Sequence, residues 1–233
     1  MNLQNYLNMQ KSAYEYQASF WTLDNREPVV GSYDSHNNWD DYNIFLFKDF
    51  DTKGLIGLEY GCGPGRNIVK FHERFEKIDG VDIAKTNLDK AKINVEHNGI
   101  SNSNFYLCDG KSIPVKDDVY DVVFSVICFQ HIACYDIRFS IFSDAYRVLK
   151  PGGHFCFQMG IGPKPSEYIV SRYYENAIDA NGTNGLHDVV VDNENQLKTD
   201  LIDKLNFSNY KSDIRPTGPG DCHQNWIWVQ VQK

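Results

Sequence analysis

Between positions 59 and 66 the chain reads Glu59-Tyr60-Gly61-Cys62-Gly63-Pro64-Gly65-Arg66. Alternating glycines let a backbone turn tightly and approach a ligand closely, and a helix that follows such a turn offers free N–H groups. Turns of this kind hold nucleotide-like ligands, and the spacing narrows which. The dinucleotide fingerprint Gly-x-Gly-x-x-Gly needs a third glycine where Arg66 stands, and a P-loop needs Gly-Lys-Ser or Gly-Lys-Thr, which does not follow. Glu59 and the loop carbonyls suit a cationic ligand and would repel a pyrophosphate. Asp82 stands 21 positions after Gly61. On an adjacent parallel strand its carboxylate would reach the same edge and could accept two ribose hydroxyl protons. His131, in Phe129-Gln130-His131-Ile132, is a side chain that changes charge near neutrality and is the best candidate base.

The elements that must position these groups follow a regular alternation from residue 54. Leu55 to Tyr60 is a short apolar run ending in glycines, which reads as a buried strand. Further strands are expected at Ile78–Ile83, Asn104–Asp109, Tyr120–Ile127 and His154–Met159. Helices are expected over 65–76, 85–97 and 136–149, where Ile68, Phe71 and Phe75, then Leu88, Ala91 and Val95, then Ile137, Ile141, Ala145 and Val148 share one face each. Lys150-Pro151-Gly152-Gly153 stops the last of these. Strands alternating with amphipathic helices imply a doubly wound, mostly parallel α/β sheet, ligands binding beyond its strand ends. Past residue 160 the rhythm breaks. A loop at 160–165, a helical stretch over 166–180, a loop at 181–185, a helix near 193–205 and two terminal strands, Tyr210–Arg215 and Trp226–Val231, are expected. The terminal pair reads as antiparallel, giving seven strands with a C-terminal hairpin.

At these residues a family resemblance emerges. Leu58 to Asn67 resembles the first motif of class I S-adenosylmethionine-dependent methyltransferases of the small-molecule type. Gly80-Val81-Asp82-Ile83 resembles the end of their second strand, Cys108-Asp109-Gly110 the segment touching adenine, Tyr120–Ser125 the fourth strand, and Arg147–Gly153 the turn into the fifth. The resemblance covers about residues 40–160, and 205–233 by layout only. It implies a Rossmann-like domain in which Glu59, Tyr60, Gly61, Cys62, Gly63 and Gly65 surround the donor. Asp82 and Ile83 would stand at its ribose, Asp109 and Gly110 at its adenine, and Val126 at the end of the fourth strand. It also implies S-adenosylmethionine as cofactor, S-adenosylhomocysteine as product, His131 at the edge facing the methyl donor, and an N-terminal tyrosine near it, Tyr14 or Tyr16. His187 and His223, in the part that often supplies substrate groups, are lesser candidates.

The chain's 233 residues, 42% hydrophobic and 23% charged, suit one globular domain with an appended lid. Residues 1–50, rich in Asn, Asp, Tyr and Trp, are expected to form a helical lid or substrate segment, with a helix from His36 to Phe50. Residues 51–233 form the main domain and 160–190 a substrate-side insert. The aromatics Tyr14, Tyr16, Phe20, Trp21 and Trp39 either close over the donor or pack as ordinary core. A net charge of -8 opposes nucleic-acid binding. No apolar run approaches the ~20 residues that span a bilayer, so no membrane association is expected. The first residues show no cationic start before an apolar stretch, so a cytoplasmic location is expected. Six cysteines without a Cys-x-x-Cys pair read as buried thiols in a reducing compartment, and no metal site is expected. The function expected is methyl transfer to a small molecule, oxygen ahead of nitrogen, its identity and the oligomeric state left open. The alternatives are a catalytically silent scaffold subunit, a methyltransferase acting on protein or nucleobase, and an oxidoreductase using Tyr146 and Lys150.

Overall fold

The structure, a computed structural model, describes residues 2–24, 42–163, 170–178, 188–218 and 223–233. A seven-stranded sheet forms its centre. The strands are β1 (Ile56–Tyr60), β2 (Lys77–Asp82), β3 (Phe105–Leu107), β4 (Tyr120–Ser125), β5 (Leu149–Pro163), β8 (Ser208–Pro216) and β9 (His223–Gln232). They lie in the order β3-β2-β1-β4-β5-β9-β8. The first five pair in parallel, and β9 runs antiparallel to both β5 and β8. The chain winds outward from β1 in one direction to β3 and then in the other through β4. Its switch point therefore lies beyond Tyr60, where an open sheet leaves a crevice.

Helices cover both faces. Alternation along β4 shows why: Val122 and Phe124 join one apolar layer and Val123 the other. Helices α2 (Arg66–Phe71) and α3 (Lys85–His97) cover the first layer, burying Ile68, Phe71, Leu88 and Val95. Helix α4 (Tyr135–Val148) covers the other with Ile137, Ile141, Phe142, Ala145 and Val148, joined by Leu197 of α5 (Glu194–Lys198) and Leu201 in the π-helical turn that extends it. An N-terminal helix, α1 (Leu3–Ser19), is capped by Asn2, whose side chain accepts from the Asn5 N–H.

Several expected elements differ. Strand β5 runs on through Gly160–Pro163, which were expected as loop, because β9 pairs with it as far as His223. Gly160 tolerates this, since a Cβ there would lie 2.0 Å from the His223 ring. Within 166–180, expected as helix, the described residues instead form a short strand and turns. Strand β6 (Val170–Arg172) pairs in parallel with β7 (Asp188–Val190). The β-branched run Val189-Val190-Val191 favours extended chain, and its burial supplies the driving force. Of the helix expected from His36 to Phe50, the described part holds one π-helical turn, Tyr42–Leu46; residues 36–41 lie outside the described residues. The helix near 193–205 divides into α5 and the π-helical turn Thr199–Lys204.

Phe124 sits at the middle of the sheet, fully buried, its ring 5.3 Å from Phe47 and within 6.3 Å of Phe71 and Phe75. Phe124→Ala is expected to lower the unfolding free energy by about 3–5 kcal/mol, measured by chemical denaturation.

Candidate active site

Beyond Tyr60 the chain turns through Gly61, Gly63 and Gly65, each with positive φ. The turn hangs on β2, because the Gly61 and Cys62 N–H groups both donate to the Val81 carbonyl, at 2.8 and 3.0 Å. A side chain at Gly61 is excluded by Cys128, whose Sγ would lie 2.4 Å from a Cβ there. Asp82, only 6% exposed, fixes the next step of the loop. Its Oδ2 accepts from the Gly63 N–H at 2.9 Å, and its Oδ1 accepts from the Ala84 N–H at 2.8 Å and the Asn87 side-chain amide at 3.1 Å. A carboxylate offers about four lone-pair sites, so these three bonds leave about one open. Burial raises the Asp82 pKa, against the opposing pull of those hydrogen bonds.

The turn, Asp82 and the loop after β4 enclose a cavity of about 290 Å³. Tyr60, Gly61, Gly63, Asp82, Ile83 and Gly110 line it, as expected from their positions at the strand ends. Tyr14 and His131 line it too. The other expected site residues lie off its wall. Glu59 is buried behind the loop, and Gly65 caps α2. The Cys62 sulfur packs over Gly80, Val126 belongs to the apolar layer, and Asp109 is exposed, its Oδ1 accepting from the Lys111 and Ser112 N–H groups and the Ser112 hydroxyl.

Helix α1 forms the roof and reaches the site through three polar contacts. The Tyr6 hydroxyl accepts from the Ala133 N–H at 2.7 Å, and the Gln10 amide donates to the His131 carbonyl at 2.7 Å. Glu15 accepts from the Lys85 and Thr86 N–H groups, supplying the cap that α3 lacks from its own Ala84. Along the same helix Tyr14 faces the cavity, whereas Tyr16 is 68% exposed and stacks edge-on against Phe20. Trp21 is buried, and Trp39 lies outside the described residues. Burial, with Cys128, Tyr6, Asp188 and Asp82 around it, raises the Tyr14 pKa well above its usual value, so the hydroxyl stays a neutral phenol and is no base at neutral pH.

His131 sits on a 3-10 turn, Phe129–His131, directly after β4. Its Nδ1 lies 2.5 Å from Asp188 Oδ1, and its Nε2 is buried without a partner. Asp188, the first residue of β7, also lines the cavity. Sequence reading missed it, along with Gln10, Gln17, Asn87, Ile127 and Cys128. Ile127 has a φ of 49°, a strained value for a β-branched residue, at the point where the chain leaves β4. His223 is a core residue, its ring against Gly160 and near the Val189 carbonyl; His187 lies outside the described residues. Tyr146 packs on Phe207, and Lys150 donates to both oxygens of Asp121, so this pair lies away from the cavity and forms no oxidoreductase site.

The cavity's charged groups among the described residues are Asp82, Asp188 and the titratable His131. Glu59, behind the loop, is 1% exposed; its Oε1 accepts from Asn67 at 2.5 Å and its Oε2 has no partner. Gln17 Oε1 and Asn87 Oδ1, on the cavity wall, are likewise buried acceptors without partners. Unpaired acceptors and carboxylates around an open glycine backbone fit a ligand carrying hydroxyls, an amino group and positive charge. They do not fit a pyrophosphate.

Burial pushes the Glu59 carboxyl up to about 8, with Asn67 and Arg66 opposing and Asp82 reinforcing. The folded state therefore holds a proton that the unfolded chain, titrating near the usual carboxylate value, releases earlier. The contribution to stability is fully present below the unfolded pKa and is lost as pH rises through the folded value. Glu59→Gln is expected to flatten that loss, raising the unfolding free energy at pH 8.5 by more than ~1 kcal/mol in denaturant titrations, with little change at pH 4.5.

Residues 58–153 match the family described as a methyltransferase domain. Over 124 residues the chain is 32% identical to the biotin biosynthesis bifunctional protein BioHC of Teredinibacter turnerae, covering 48% of this chain and 21% of that protein. Over 100 residues it is 31% identical to the malonyl-[acyl-carrier protein] O-methyltransferase of Salmonella typhimurium, covering 43% of this chain and 37% of that one. The chain thus spans well under half the length of these curated relatives. Its fold is similar to that of the Haemonchus contortus phosphoethanolamine N-methyltransferase 2 solved with phosphomonomethylethanolamine and S-adenosylhomocysteine. The TM-score is 0.70 at 18% identity, over 100% of this chain and 61% of that one. Residues 58–153 are thus similar in sequence to methyltransferase domains, and the whole chain is similar in fold to a solved methyltransferase.

Proposed function

We propose that this chain transfers a methyl group from S-adenosylmethionine to a small-molecule acceptor, oxygen ahead of nitrogen. The observation that carries the reading is the convergence of the glycine turn, Asp82, Tyr14 and His131 on one cavity. Bound there, S-adenosylmethionine supplies an electrophilic methyl group on a sulfonium, which an acceptor lone pair takes as the carbon–sulfur pair returns to sulfur. The residues' part is to hold and to exclude. Gly61 and Gly63 present backbone without side chains, Asp82 keeps one acceptor site for a hydroxyl, and the unpaired oxygens of Asn87 and Gln17 await donors. Ile83, Ile127 and Ile132 give the wall its apolar, water-excluding character. Alignment of nucleophile and methyl group in such a cavity supplies about 7–11 kcal/mol of the barrier reduction. His131, with an unpartnered ring nitrogen on the cavity wall, is the candidate proton acceptor.

The N-terminal segment acts as a lid through α1, and the 160–190 insert walls the acceptor side through β7. A cytoplasmic setting accords with five described thiols left free. No helix among the described residues is long and apolar enough to cross a membrane.

The direct test is incubation with methyl-tritiated S-adenosylmethionine and pooled hydroxylated and amino metabolites. The reading requires label in at least one pool, and transfer only to added protein or nucleic acid would replace it. Asp82→Ala is expected to weaken S-adenosylhomocysteine binding by about 1.5–3 kcal/mol in equilibrium dialysis. His131→Ala is expected to lower turnover by about a hundredfold while leaving that binding intact.

A further inference from the structure

The unassigned feature with the clearest chemistry is the contact between His131 and Asp188, which come from opposite sides of the cavity. His131 follows β4 of the central sheet, and Asp188 opens β7 of the separate two-stranded insert. Their side chains meet at 2.5 Å, each about a quarter or less exposed. An ionised carboxylate only accepts hydrogen bonds, so at this contact imidazole Nδ1 must be the donor. A neutral imidazole carries one N–H, and placing it on Nδ1 leaves Nε2 as a bare acceptor, the nitrogen that is buried without a partner.

The rest of the surroundings hold this arrangement in place. The Gln10 amide fixes the His131 carbonyl from α1. The buried Arg138 guanidinium donates to the Ile132 and Tyr173 carbonyls, joining the His131 loop to the insert. Tyr173 in turn donates to Asp200 at 2.8 Å, anchoring the insert to the π-helical turn.

We infer that Asp188 is a positioning residue that locks His131 in the Nδ1–H tautomer, so that Nε2 takes the proton from an acceptor hydroxyl or amine N–H in the cavity. The inference rests on the methyl-transfer reading and deepens it by naming the acceptor class. As the acceptor's oxygen or nitrogen forms its bond to the methyl carbon, its proton passes to Nε2 and the imidazolium formed lies against the Asp188 carboxylate. The proton then leaves to water once product departs. An acceptor whose reacting atom bears no proton, such as a thioether, makes no use of this pair.

The test is a long-range ¹⁵N–¹H correlation on histidine-labelled protein without ligand at alkaline pH, beside calorimetric titration with S-adenosylhomocysteine. In the wild type, His131 should show a protonated Nδ1 and a bare Nε2. In Asp188→Ala the population should move to the Nε2–H form that free imidazoles favour, with S-adenosylhomocysteine affinity within about threefold of wild type. On the acceptor found by the tritium screen, Asp188→Ala should lower kcat by about tenfold or more with little change in KM. An Nε2–H form in the wild type, a tautomer unmoved by Asp188→Ala, or an unchanged kcat would overturn the inference. If Asp188→Ala does not fold, the wild-type tautomer alone decides. Failure of S-adenosylhomocysteine to bind the wild type would instead remove the methyl-transfer reading, and the tautomer would still report on the pair.

Discussion

The site depends on one buried carboxylate. Asp82 accepts from the Gly63 N–H, the Ala84 N–H and the Asn87 amide, so a single side chain fastens the turn after β1 to the end of β2 and the start of α3. Charge-assisted bonds in a buried setting are strong, and losing such an acceptor strands its donors. The glycine loop could not hold its positive-φ shape on backbone freedom alone, since glycine is also the residue with the most freedom to lose. Asp82 turns that freedom into a fixed cradle, and its side chain also lines the cavity. Fold and proposed binding site therefore share one group.

A second theme is buried acceptor atoms without donors. One oxygen of Glu59 is buried without a partner, and the Gln17 and Asn87 amide oxygens on the cavity wall lack donors. Each costs stability in the empty protein, by desolvation or by a missing partner. A cationic, hydroxyl-bearing ligand would relieve several of these costs together. Helix α1 adds a structural counterpart, because the Tyr6, Gln10 and Glu15 side chains all engage backbone groups of the site, making roof and floor one hydrogen-bonded unit.

The central sheet was readable because its signals are local. Apolar runs ending in glycine, and helices such as 85–97 with Leu88, Ala91 and Val95 on one face, carry their pattern within a dozen residues. The glycine turn and Asp82 were readable for the same reason, since parallel neighbours must bring adjacent strand ends together. What escaped was long-range. Asp188 meets His131 across 57 positions and Gln10 meets its carbonyl across 121, and neither has a local motif. The 166–180 stretch misled because β6 gains its shape from pairing with β7, whose run of valines lies well downstream. Glu59 and Asp109 were read as ligand groups from their positions in the motifs. In the structure Glu59 Oε1 accepts from Asn67 and Asp109 closes a turn of its own, contacts that depend on where neighbouring side chains settle.

The proposed function requires the cradle formed by the glycine turn and Asp82 to accept an adenosyl ligand bearing positive charge and no phosphate. Isothermal titration of the purified protein with S-adenosylmethionine, beside NADH under the same conditions, tests it most directly. Saturable heat at one ligand per chain is expected with S-adenosylmethionine and none with NADH. Saturable binding of NADH, with S-adenosylmethionine silent, would contradict it.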